Sequence, residues 1–154
     1  LSISNTFNDI YQVSERYTGI GMTYFNLTNY DSAAYYLGKA DSIFKELPVN
    51  RLTTLSWLAI TFVKDGQKIK AQNYIRMFDE LIKQIEPKEK YIISLNWNMY
   101  QVFELLGDNK SAKDYLENSY LEIKSRSKNI KNKTDRNQYL SVKLHKDILA
   151  HWDK

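Results

Sequence analysis

Residues 17–40 read YTGIGMTYFNLTNYDSAAYYLGKA, and their spacing decides the fold. Apolar residues recur at three- and four-residue steps, stop at a short polar joint, and resume with the same period, the pattern of two helices rather than of strands. Working outward, the first stripe takes in Ile10, Val13, Tyr17, Ile20, Tyr24 and Leu27, and the second Ala33, Leu37, Ala40, Phe44 and Leu47. Between them Asn29, Asp31 and Ser32 carry side-chain oxygens able to accept bonds from the unpaired first-turn N–H groups of the second helix. Residues 55–78, LSWLAITFVKDGQKIKAQNYIRMF, and 96–119, NWNMYQVFELLGDNKSAKDYLENS, repeat the arrangement. Gly21 precedes Ala33 by 12 positions, Ala59 precedes Ala71 by 12, and Tyr100 precedes Ala112 by 12, while the alanines lie 38 and then 41 apart. An interval that is constant within a hairpin and variable between hairpins is what stacked units require.

The rest of the chain agrees. With 43% hydrophobic and 26% charged residues among 154, it has the balance of a folded domain. Five glycines and two prolines are too few turn residues for a many-stranded barrel or sandwich. The predicted fold is therefore all-α: an antiparallel helix-hairpin solenoid forming a single domain over 1–154. Its hairpins fall at about 9–47, 51–86 and 90–126, with Pro48 and Pro87 closing the first two pairs. A capping helix at about 135–152, carrying Tyr139, Leu140, Leu144, Ile148 and Trp152, covers the last hairpin. Small side chains at Gly21, Ala33, Ala59 and Ala71 let paired helices approach, and bulky ones such as Tyr24 and Phe62 fill the groove opposite.

These residues resemble the tetratricopeptide repeat. The first unit reads Tyr17-x2-Ile20-Gly21-x2-Tyr24, then Ala33-x3-Leu37-x2-Ala40 and Pro48. The second reads Leu55-x2-Leu58-Ala59-x2-Phe62, then Ala71-x3-Ile75-x2-Phe78 and Pro87. In the third, Asn96, Tyr100 and Ser119 depart from the pattern and no proline follows. Spacing near 40 is similar to the long variant of the repeat common in bacterial regulatory proteins. The run Asp135-Arg136-x2-Tyr139-Leu140 to Ile148-Leu149-Ala150-x-Trp152 is similar to the tail that closes repeat arrays in bacterial signalling ATPases, nucleotide cyclases and kinases. The resemblance implies a protein-binding module, a scaffold within a larger signal-transduction protein. Its concave wall, formed by the first helices, would receive a peptide or helix of a partner or of an intramolecular domain. Position by position, that wall comprises Thr18, Met22, Phe25 and Asn26, then Ser56, Ile60, Val63 and Lys64, then Trp97, Gln101 and Glu104. Several of these are apolar residues lying off the hairpin stripes, so a groove or a neighbouring repeat must cover them.

Catalytic and metal chemistry find little purchase. Zero cysteines exclude disulfides, thiolate catalysis and cysteine-based zinc sites. His145 and His151 are six apart, about 120° around a helix, and so cannot share an ion within it. Gly19-Ile20-Gly21 imitates a dinucleotide fingerprint, but Tyr24 holds the third glycine's place. Asp79-Glu80 and Glu86-Pro87-Lys88-Glu89 read as a solvated face and its exit. No enzyme activity, cofactor or metal is expected. The net charge is +4, and residues 121–154 hold 9 basic and 4 acidic side chains. Segment 124–154 is accordingly the alternative functional element, contacting nucleic acid or linking to an output domain. The longest uncharged run, Tyr17 to Tyr30, is too short and too polar to span a membrane. The absence of cysteine and of a signal-type leader suits a cytoplasmic protein, and Leu1 at the start suggests a piece of a longer chain.

Overall fold

The computed structural model describes residues 3–85 and 92–154. Pro87 and the Glu86-Pro87-Lys88-Glu89 run lie outside them. Among the described residues there are eight α-helices and no strand: α1 (Ile3–Asn26), α2 (Tyr30–Ile43), α3 (Pro48–Lys64), α4 (Lys68–Ile82), α5 (Ile93–Leu106), α6 (Asn109–Asn129), α7 (Lys133–Ser141) and α8 (Lys143–Trp152). The fold is all-α and built of helical hairpins in sequence order. The chain divides into two compact units, Leu1–Glu86 and Pro87–Lys154. The first holds the hairpins α1–α2 and α3–α4, with α2 packed against α3; the second holds α5–α6 with α7 and α8.

Each hairpin is closed by the same local chemistry. Residues 28, 66 and 107, spaced like the alanines, all take left-handed backbone: Thr28 (φ 59°), Gly66 (φ 75°) and Gly107 (φ 80°). The next residue's N–H then reaches back to the same point in each turn: Asn29 to the Tyr24 carbonyl at 2.9 Å, Gln67 to Phe62 at 2.8 Å and Asp108 to Phe103 at 3.0 Å. Asn29 and Asp108 also cap the following helix, accepting from the N–H groups of Ser32 and Ser111, both at 3.1 Å. The Ser111 N–H, followed by its hydroxyl, holds the Asp108 carboxyl below the usual carboxylate range. That contribution to stability is therefore present at neutral pH and lost on acidification. Thr28 stands where the other two turns have glycine, and a β-branched residue is strained there. Thr28→Gly is expected to stabilise the first unit by about 1 kcal/mol, read as a higher urea midpoint; an unchanged or lower midpoint refutes the strain.

An aromatic pair marks each hairpin as well. Tyr24 stacks on Tyr36 (5.5 Å, 3°), Phe62 on Tyr74 (5.4 Å, 6°) and Phe103 on Tyr115 (5.6 Å, 8°), again 12 residues apart. Pro48 opens α3 rather than closing the first pair; as the first helical residue it gives up an N–H that would have no partner there.

Two expectations need correction. The α1 stripe does not face α2 as a whole: Tyr17 and Tyr24 turn onto Tyr36, but Ile10, Val13, Ile20 and Leu27 remain 47, 41, 40 and 68% exposed. The enclosed face of α1 carries Ser14, Thr18 and Gly21 instead. Small residues win because α2 approaches closely, and the two hydroxyls enter the core satisfied: Ser14 donates to the Ile10 carbonyl at 3.1 Å and Thr18 to that of Ser14 at 3.0 Å. The capping segment is not one helix either. Val142 takes extended backbone (φ −55°, ψ 133°) and divides it into α7, which buries no residue, and α8, which buries His145 and Ile148. The break is chemically closed, since the His145 Nδ1–H donates to the Tyr139 carbonyl at 2.7 Å and the two rings pack 4.4 Å apart.

Candidate functional site

The residues expected to form a concave wall fall on both units, and the structure treats them unequally. In the first unit Thr18, Ser56, Ile60 and Val63 are buried, Ile60 and Ser56 completely, and offer no surface to a partner. Thr18 lies on the face of α1 that α2 closes, and Ser56, Ile60 and Val63 belong to α3, which packs against α1, α2 and α4 and so has little of its circumference open. Met22 and Phe25 are half-buried, with the Phe25 ring engaged edge-on by Trp57 at 5.2 Å and tilted against Tyr30 at 5.7 Å. A neighbouring hairpin thus takes up Phe25. Asn26 and Lys64 are exposed.

In the second unit Trp97 and Gln101 are half-buried and Glu104 is exposed. Trp97 sits 5.0 Å from the Tyr100 ring and 5.2 Å from that of His151, so α8 supplies its cover. Around these aromatics α5, α6 and α8 enclose a cleft of about 500 Å³. Tyr100 and Leu116 form its inner wall with Ala112, and His151 and Trp152 supply the opposite side. Asn109, Lys113 and Lys154 stand at the rim with Glu104.

Each wall is held by an identifiable bond. The Tyr100 hydroxyl donates to Glu104 Oε1 at 2.6 Å. Burial, followed by that carboxylate bond, pushes the phenol's pKa far up, so at neutral pH it stays a donor. Glu104 therefore has one oxygen committed to the wall. His151 is fixed by its Nδ1–H, which donates to the Asp147 carbonyl at 2.7 Å, so the ring's orientation is set within its own helix. Trp152 stacks on Tyr120 of α6 at 4.7 Å and 17°, so its ring is oriented before any ligand arrives. What this arrangement can do is grip: flat apolar surfaces for a side chain, ammonium groups for an anion, and little conformational cost on binding.

Of the expected wall residues only Glu104 lines the cleft, with Trp97 behind it. Sequence reasoning missed Tyr100, His151 and Trp152. One signal was present: Tyr100 stands where the first two hairpins have Gly21 and Ala59, a departure that reads as loss of the repeat and in fact marks the cleft's inner wall. Among the described residues no group of three or more His, Cys, Asp or Glu side chains is disposed to hold a metal, and no helix is long and apolar enough to cross a membrane. No family model matches the chain, and neither the curated proteins nor the solved structures contain a match to it.

Proposed function

We propose that this chain is a non-catalytic protein-interaction module of the tetratricopeptide type, part of a larger cytoplasmic regulatory protein, and that it holds a short peptide segment of its partner in the cleft of the second unit. The three hairpins with equivalent turns and equivalent aromatic stacks support the repeat assignment. The cleft carries the functional part, because it is preformed, aromatic-walled and rimmed by Lys113 and Lys154. Two ammonium groups, Lys113 and Lys154, face the single carboxylate of Glu104, so the side-chain charge at the rim is net positive. The fitting segment is an apolar side chain followed by an acidic one.

The test is a selection of displayed random peptides on the 154-residue chain, followed by affinity measurement. Lys113→Glu, at an exposed position, is expected to weaken the selected peptides at least tenfold without altering the circular dichroism spectrum. Lys64→Glu in the first unit is expected to leave binding unchanged. Equal affinity of the Lys113 variant removes the cleft from the proposal.

A second reading rests on Lys124, Lys128, Lys131 and Lys133, all exposed around the α6–α7 joint. If that segment meets nucleic acid, affinity for a single-stranded RNA oligomer falls steeply with salt, whereas the peptide's affinity, resting on one or two ammonium contacts and an apolar side chain, falls with a much shallower slope.

A further inference from the structure

The exposed side of α1 is a better-defined surface than the exposure of single residues conveys. Val13, Ile20 and Leu27 are seven residues apart, and seven steps along a helix drift by only about 20°. They form one nearly straight row, with Ile10 beside it, running about 21 Å at 1.5 Å per residue from Val13 to Leu27, which lies just past the end of α1 and still donates its N–H to the Thr23 carbonyl at 3.1 Å. All four are at least 40% exposed.

The hairpin that follows shows what such a row receives. Thirty-eight residues on, Val13 corresponds to Arg51 and Ile20 to Leu58, on the same row of α3. Arg51 Nε is paired with Asp41 Oδ1 of α2 at 2.8 Å, and Leu58 is 1% exposed. The second helix of the preceding hairpin is therefore seated on the middle of that row, through Arg51, while Pro48 and Asp65, which correspond to Ile10 and Leu27, stay exposed. On α1 the equivalent row is open and more apolar, since valine stands where α3 has its ion-paired arginine.

We infer that the Val13–Ile20 face of α1 is the seat of a further helix, the second helix of another hairpin encoded upstream in the same polypeptide, docked as α2 docks on α3. Its area argues for a tethered occupant over a second copy. Even the whole row, a strip about 21 Å long and one helix, about 10 Å, wide, is far smaller than the roughly 800 Å² per partner that a stable association needs. A helix already linked to the chain need not meet that cost.

The lack of cysteine makes the test direct. Ile20→Cys, and separately Val13→Cys, are introduced into the 154-residue chain and into the full-length protein as its own gene encodes it. Reaction of each with a maleimide is followed by mass spectrometry of the α1 peptide, with solution mass measured alongside. The expected result is rapid labelling in the 154-residue chain at a monomer mass of 18.2 kDa, and labelling at least tenfold slower in the full-length monomer. Equal rates in the two proteins overturn the inference. So does protection already present in the 154-residue chain, or protection of the longer protein only when it is oligomeric, either of which assigns the face to another occupant.

Discussion

Phe78→Ala is expected to lower the stability of the first unit by about 3–5 kcal/mol, although alanine is the residue the repeat pattern calls for at that position. Positions 40, 78 and 119 are equivalent in the three hairpins and hold Ala40, Phe78 and Ser119, each completely buried. A consensus argument treats Phe78 as a blemish whose removal helps. The packing argues the opposite: a 0% exposed phenyl ring among close-packed neighbours leaves a cavity when truncated, and the surroundings recover only part of the lost contact. The measurement is urea denaturation followed by circular dichroism. A loss below about 1 kcal/mol, or a gain, would mean that the site collapses freely and that Phe78 is not a packing element.

The second large effect is at Gly21, where the consensus again misleads, because the next hairpin has Ala59 at the equivalent position. A Cβ added to Gly21 would lie 2.6 Å from Leu37 Cγ, 2.9 Å from Cδ2 and 3.2 Å from the Leu37 backbone nitrogen. Leu37 is wholly buried and cannot swing aside, so α1 and α2 must separate. Overpacking of this kind costs about 1–3 kcal/mol, while alanine returns up to about 1 kcal/mol of helix propensity. Gly21→Ala is expected to lose about 1–2 kcal/mol net. Gly19, two residues away, provides the control: nothing lies within 4 Å of its added Cβ, so Gly19→Ala is expected to gain about 0.5–1 kcal/mol. Opposite signs at the two glycines would establish the close approach; equal signs would sink it.

The two glycines also show where sequence reading stops. Both occur in the stretch that decides the fold, and pattern alone ranks them only through the 12-residue interval to Ala33. That interval was enough to find the hairpins, because helix period, turn chemistry and repeat length are local properties expressed in neighbouring residues. It could not say which side of α1 is inside. Ile10, Val13, Tyr17, Ile20, Tyr24 and Leu27 form a continuous apolar stripe, and hydrophobicity assigns that stripe to the partner helix. The structure divides it, putting Ser14 and Thr18 in the core, where each hydroxyl bonds a carbonyl one turn back. A polarity count has no means of seeing a hydroxyl satisfied by its own helix.

The candidate site was less legible for a related reason. Glu104 and Trp97 were named, but as members of a wall continuous with Ile60 and Val63, which are buried. The cleft instead joins Tyr100 to His151 and Trp152, about fifty residues away in the chain. It depends on the break at Val142, at which no glycine or proline stands.

By itself, then, the amino-acid sequence determined the helices, their pairing into hairpins and the near-40-residue period, since each rests on short-range spacing and on turns at residues 28, 66 and 107. Tertiary structure alone decided which faces are enclosed, that Trp97 is covered by α8, and that a cleft lies between α5, α6 and α8. Those outcomes depend on how closely backbones approach and on which buried polar groups find partners, quantities that exist only once helices distant in sequence have been brought together.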